Sequence, residues 1–141
     1  MPNKVSTVDM LDDVSTSVQV CGACNAVRKE ADGRLVGDMF DGQGFVRGLA
    51  RKGRPAKGAS ALIVGAGGVG SAIAVAMAEA EVGRLALYDT RSEATEKLAD
   101  RLQQFFPKLS IQVGSNDPVG FEIVVNATPT VSYTHLRAHE T

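Results

Sequence analysis

Three glycines, Gly65, Gly67 and Gly70, stand in a G-x-G-x-x-G turn with Ala66, Gly68 and Val69 between them. The apolar run 61–64 precedes the turn and the run 71–78, small and apolar, follows it, so the order reads strand, turn, helix. That order suits a dinucleotide. Glycine lacks a Cβ, so Gly65 can take a tight turn, Gly67 can let a pyrophosphate come against the backbone, and Gly70 can let the helix pack close to the strand. The N–H groups at the helix start then face the phosphates.

A second strand-like run, 84–88, ends in Asp89, near the offset of about twenty residues at which an acid meets the adenosine ribose. A carboxylate there accepts hydrogen bonds from a 2′-hydroxyl and repels a 2′-phosphate, so Asp89 favours NAD over NADP. Arg91, two residues on, keeps NADP open, because a guanidinium stacks on adenine or pairs with a phosphate. A third run, 121–125, closes on Asn126, Ala127 and Thr128. The plainer readings are a loop carboxylate for Asp89 and, for residues 126–129, a strand end broken by Pro129.

Other chemistry-bearing pairs carry less. Cys21 and Cys24 form a C-x-x-C, but the flanking residues 18–20 and 25–27 read as strand, where side chains three apart point to opposite faces. Two small buried side chains are the expectation. His135 and His139 have the i, i+4 spacing of a helical metal pair without a third ligand nearby, and no metal site is expected.

The elements that must position these residues follow from the pattern. Val5, Val8 and Leu11 at three-residue steps predict a short helix over 3–11. Runs 18–28 and 34–36 flank Asp32-Gly33 as a hairpin. Phe45, Val46 and Leu49 share a helical face within 42–50, although three glycines weaken that helix. Residues 52–58 are charged, rich in Gly and Pro and without an apolar face, which marks a linker. Thr90 and Glu93 resemble a capping box opening a helix with Ala94, Leu98, Leu102 and Phe105 on one face, stopped by Pro107. Runs 109–113 and 121–125 are further strands. Strands alternating with helices predict an α/β fold with a parallel sheet, whose ligands lie at the carboxyl ends of its strands.

At 141 residues, with 44% apolar residues and a formal charge of −1, the chain has the size of one ordinary domain or parts of two. The near-neutral balance gives no electrostatic case for nucleic acid or a membrane surface. The longest apolar stretch, 72–78, is too short to span a bilayer, and the N-terminus lacks the apolar core of a signal peptide. The default location is the cytoplasm.

Gly22-Ala-Cys-Asn25, Leu35-Val-Gly37, Asp41-Gly-Gln-Gly-Phe45, Gly65-Ala-Gly-Gly68 and Asn126-Ala-Thr-Pro129 occur in one order over nearly all of residues 2–129. In that order and approximate spacing they resemble the shikimate dehydrogenase family, including its quinate/shikimate branch. The resemblance implies a partial substrate-binding α/β domain over 1–51, a linker over 52–58 and a partial Rossmann doubly wound parallel sheet over 59–130. It implies hydride transfer between a ring ketone and an alcohol, with NAD or NADP as cofactor and a small cyclic hydroxy acid as substrate. It assigns the catalytic pair to Lys4, in a Pro-x-Lys context, and Asp41, the substrate-hydroxyl contact to Asn25, and a loop beside the nicotinamide to 126–129. The physical logic stands beside the name. Hydride arriving at a ketone carbon leaves an alkoxide, which needs a proton or a positive charge already in place, and a lysine ammonium provides both. Asn25, donor and acceptor at once, can fix a hydroxyl without adding charge.

Three departures qualify that expectation. Met39 and Phe40 stand where the family has Asn-Thr before the aspartate, giving a bulkier, more apolar pocket wall. The family has a serine pair and further strands upstream of the lysine. Residues 131–141 show no resemblance and little apolar periodicity, and are expected to be a non-native, poorly ordered tail. The 141-residue chain alone is expected to have negligible dehydrogenase activity, and a monomer and a homodimer are both open. Two alternatives stand: a nucleotide-binding module without catalysis, and another two-domain dehydrogenase of the methylene-tetrahydrofolate or malic type.

Overall fold

A computed structural model describes residues 11–21, 26–38 and 41–128. Lys4, Asn25, Cys24, Met39, Phe40, both histidines, most of the helix expected over 3–11 and the tail expected over 131–141 lie outside the described residues, as does Pro129. The described elements run β1 (Asp13–Val14), α1 (Thr16–Cys21), β2 (Ala26–Lys29), β3 (Leu35–Asp38), α2 (Asp41–Arg51), β4 (Ser60–Val64), α3 (Gly68–Glu79), β5 (Arg84–Tyr88), α4 (Ser92–Phe105), β6 (Ser110–Val113) and β7 (Ile123–Asn126).

Two sheets form among the described residues. The smaller has the order β1-β3-β2, with β2 antiparallel to β3 and β1 parallel to it. The Asp32-Gly33 turn forms as expected: Gly33 takes φ +90°, which glycine adopts at no steric cost, and Glu30 N–H donates to the Arg34 carbonyl at 2.8 Å. The larger sheet has the order β6-β5-β4-β7, all parallel. Its chain order reverses between β4 and β7, and a doubly wound sheet holds its ligand at such a reversal.

The register decides which side chains make the core. Ala61 lies beside Leu85 and Ile123, and Ile63 beside Leu87 and Val125. Those six side chains are buried with Ile73, Ala74 and Met77 of α3 and Leu98 and Leu102 of α4. Helix α3 is buried without interruption from Gly70 to Ala78, because α1 and α2 pack on it as well as the sheet. An apolar stripe on one face would not serve there; the run of Ala, Ile, Val and Met is apolar all round.

Helix α2 forms despite its glycines, and one of them is the reason it packs as it does. A Cβ on Gly42 would overlap the Ala72 carbonyl oxygen and stand 2.9 Å from the Ala76 Cβ. The head of α2 therefore lies against the first turns of α3.

Four expectations need correction. Residues 18–20 are helical, not strand: Val18 and Val20 are both buried while Gln19 is exposed, because α1 has α3 on one side and α4 on another. The Ser15 hydroxyl accepts the Val18 N–H at 3.3 Å and starts the helix locally. Ser17 Oγ donates to Glu79 Oε1 at 3.2 Å and Arg101 Nη1 donates to the Val20 carbonyl at 2.9 Å, fastening α1 to both neighbours. Cys21 thus ends a helix, half-buried against the core, and the strand argument made for the cysteine pair does not apply to it. The capping box at Thr90 and Glu93 does not form. Helix α4 starts at Ser92 with Arg91 as an N-cap whose side chain does not cap the helix, and the Asp89 carboxylate takes both the Thr90 hydroxyl and the Arg91 N–H. Phe105 is 38% exposed, and Thr95 joins Leu98 and Leu102 on the buried face instead. Within the expected linker, Ala56 is buried and Lys57 bridges to Val82, so that stretch does have an apolar contact with the core.

Candidate dinucleotide site

The carboxyl ends of β4, β5 and β7 carry, side by side, the glycine turn, Asp89 with Arg91, and Asn126 with Ala127 and Thr128. Adjacent strands in parallel register make that convergence. The ladder continues into the turn: Gly65 N–H donates to the Tyr88 carbonyl and Ala127 N–H to the Val64 carbonyl, both at 2.7 Å.

Each glycine of the motif has a separate steric job. Gly65 takes φ +110°, and a Cβ there would come within 2.9 Å of the Ala127 carbonyl carbon. A Cβ on Gly70 would overlap the Gly65 carbonyl oxygen, so the first turn of α3 can approach the end of β4 only because Gly70 has none. Gly67 differs from both. Its φ is an ordinary −81°, and a Cβ would meet nothing within 4 Å. The protein's own packing does not require glycine at that position. As N-cap of α3, Gly67 offers no side-chain acceptor, and the first-turn N–H groups of a helix have no intrahelical partners. Gly68 and Val69 are exposed beside it. A cradle of this shape fits a pyrophosphate, whose oxygens accept from those N–H groups.

Ser71, which the sequence reading passed over as part of the apolar run, is buried and donates from Oγ to the Ala66 carbonyl at 3.4 Å. Its N–H donates to the Gly67 carbonyl at 2.9 Å. Serine in the first turn of an otherwise apolar helix is the signal that could have found it.

Asp89 is the anchor of the second strand end. Its side chain is 11% exposed, Oδ2 accepts the Ala66 N–H at 2.8 Å and Oδ1 accepts the Arg91 N–H at 2.9 Å. The Ala66 N–H and then the Arg91 N–H lower its pKa to about 2; burial opposes them, and the Arg91 guanidinium 3.4 Å away adds smaller lowering effects. At the third strand end Asn126 Oδ1 accepts the Thr128 N–H at 3.3 Å and its hydroxyl at 2.8 Å, which holds residues 126–128 in a turn over Gly65.

The structure brings Gly65, Ala66, Gly67, Gly68, Val69, Gly70, Asp89, Arg91, Asn126, Ala127 and Thr128 together, as expected. Asp41 opens α2, and the contact of Gly42 with Ala72 puts its backbone on the same end of the molecule as the glycine turn. Lys4 and Asn25 lie outside the described residues. A cavity of about 250 Å³ bordered by Arg54, Lys57, Ala59, Glu122 and Ile123 opens at the amino ends of β4 and β7, the far end of the sheet from the turn. Among the described residues no group of His, Cys, Asp and Glu could hold a metal ion.

No family model matches the chain. It is 38% identical over 108 residues to the NADP(+) shikimate dehydrogenase of Streptococcus pyogenes, covering 74% of this chain and 37% of that protein. It is 31% identical over 139 residues to the corresponding Bacillus subtilis enzyme, covering 96% of this chain and 49% of that one. The chain thus spans about half the length, or less, of the curated relatives it matches. Among solved structures it is similar to a shikimate 5-dehydrogenase from Listeria monocytogenes in complex with shikimate and NAD, at a TM-score of 0.82, 27% identity and coverage of 91% and 47% of the two chains. It is also similar to the quinate dehydrogenase of Corynebacterium glutamicum in complex with NAD, at a TM-score of 0.74 and 34% identity over 91% and 47% of the two chains.

Proposed function

The chain belongs to the shikimate dehydrogenase family, and on that premise we propose that its glycine turn holds NAD or NADP for hydride exchange with a ring hydroxy acid of the shikimate or quinate kind. One observation supports the cofactor half above the others: Gly67 is the motif glycine that the protein's own packing does not need, and it faces open space. When bound, the nicotinamide supplies or accepts the hydride. The protein's part is to seat the pyrophosphate on the turn, to receive the ribose at Asp89, and to carry the proton that balances the hydride.

The proposed proton carrier is Lys4, with Asp41 as its partner and Asn25 on a substrate hydroxyl, each taken from the family resemblance. Reduction of the ketone adds hydride to carbon and a proton from the Lys4 ammonium to oxygen; oxidation of the alcohol returns both. Asp41 keeps the ammonium charged and aimed. Asp89 favours NAD, since its carboxylate would face a 2′-phosphate; relatives named above include both an NADP(+) enzyme and NAD complexes. Met39 and Phe40, in place of the family's Asn-Thr, favour a ring less polar than shikimate on that side. No described helix is long and apolar enough to cross a membrane, and the reading places the chain among soluble metabolites in the cytoplasm.

Calorimetry tests the reading. The chain is expected to bind NAD, and NAD binding is expected to tighten in the presence of shikimate or quinate. Absence of any dinucleotide binding would refute it; NAD binding indifferent to both ring acids would favour a nucleotide module without catalysis.

A further inference from the structure

Both oxygens of the Asp89 carboxylate are engaged by the protein itself. Oδ2 accepts the N–H of Ala66, the residue between the first two motif glycines, and Oδ1 accepts the N–H of Arg91 with the Arg91 Nε 3.4 Å away. Among the described residues, Asp89 is the only side chain hydrogen-bonded to a backbone N–H of the turn 65–70. The bond joins the end of β5 to the loop leaving β4, between the ladder bond of Gly65 and the start of α3. In the next peptide plane, the Ala66 carbonyl accepts from Ser71 Oγ at 3.4 Å.

We propose that Asp89 is a positioning residue for the glycine turn: its carboxylate sets the Ala66 amide, and thereby the shape that receives the pyrophosphate, before any nucleotide arrives. This rests on the dinucleotide reading for the identity of the ligand, while the hold on Ala66 does not. A carboxylate oxygen has two lone pairs, so Oδ2 keeps one for a ribose hydroxyl while it holds Ala66. On Oδ1 the longer partners are the Thr90 hydroxyl and the Arg91 side chain, each at 3.4 Å, and of the two the Arg91 side chain is 70% exposed. A ribose hydroxyl replaces it there, which releases the guanidinium toward the adenine or a phosphate. Cofactor choice and loop order are therefore carried by one group, and removing the charge is not the same perturbation as removing the acceptor.

Two variants of the 141-residue chain separate the two. Asp89→Asn keeps one acceptor oxygen, which the proposal puts on the Ala66 N–H, and removes the charge and the acceptor of the Arg91 N–H; Asp89→Ala removes every acceptor. Amide hydrogen exchange at Ala66 is expected to speed up by about tenfold or more in Asp89→Ala and to change little in Asp89→Asn. By calorimetry, Asp89→Asn is expected to shift preference from NAD toward NADP, whereas Asp89→Ala weakens both nucleotides by about tenfold. An Ala66 amide as protected in Asp89→Ala as in the unaltered chain would overturn the proposal, as would tighter NADP binding by Asp89→Ala. If the unaltered chain binds no dinucleotide, the functional reading falls, and the Ala66 exchange result still decides the positioning role.

Discussion

Replacing Gly67 with alanine is expected to separate binding from folding. Its φ of −81° and ψ of −160° suit any residue, and the new methyl would meet nothing within 4 Å. Alanine is a poorer N-cap than glycine by up to about 1 kcal/mol. The stiffer unfolded chain offsets about 0.4–1 kcal/mol of that, so net stability changes by less than about 1 kcal/mol. The methyl would, however, stand where the pyrophosphate must approach the backbone, and NAD affinity is expected to fall by about tenfold or more. The two flanking glycines give the opposite result. Gly65→Ala forces an L-residue to φ +110° and drives its Cβ to 2.9 Å from the Ala127 carbonyl carbon, at a combined cost of about 2–4 kcal/mol. Gly70→Ala pushes α3 off the end of β4 at a cost of about 1–3 kcal/mol or more. Urea unfolding followed by circular dichroism, with NAD calorimetry on the same samples, reads both quantities. Gly67→Ala binding NAD as well as the unaltered chain, or losing as much stability as Gly70→Ala, would refute the division of labour among the three glycines.

Asp89 should leave a mark on acid stability. Its pKa is lowered to about 2 in the folded chain, so its contribution is fully present above the unfolded value near about 4 and is lost as pH falls through about 2. The loss amounts to about 2 kcal/mol at most, with the exposed Arg91 side chain supplying little of it in salt; urea unfolding of the unaltered chain and Asp89→Asn from about pH 6 to about pH 2 should converge at the acid end. Gly42→Ala should cost about 1–3 kcal/mol by wedging α2 from the Ala72 carbonyl, whereas Gly44→Ala, which would meet nothing within 4 Å, should not destabilise; thermal melts of the pair check the contrast. Ser71→Ala should lose about 0.5–1.5 kcal/mol and raise hydrogen exchange across residues 66–68.

The parallel sheet and its glycine turn were legible because their signals are local. A buried run, three glycines at fixed offsets and an acid one strand later lie within thirty residues, and each element's period matches its structure. Asp89 was legible as a position but not as a hydrogen-bond acceptor for Ala66, since that bond spans two strands and depends on their register. The alternation at 18–20 misled for a related reason. Val18 and Val20 are both buried because α1 is enclosed on two sides, and no local pattern distinguishes that from a strand. The capping box failed because Asp89, one residue earlier, takes the Thr90 hydroxyl that the box needs, along with the Arg91 N–H. Gly42 was visible as a glycine weakening a helix; its contact with Ala72 depends on how α2 lies on α3, which spacing alone does not encode. The proposed catalytic residues were legible only through family order, because Lys4, Asn25 and Asp41 are far apart in sequence and share no local motif.

Titrating NAD into isotopically labelled chain while recording backbone amide shifts tests the central claim most directly. The largest shifts are expected at residues 65–70, 89–91 and 126–128, the three strand ends that the parallel register brings together. Shifts concentrated instead around Arg54, Lys57 and Glu122, at the opposite end of the sheet, or no shifts at all, would contradict it.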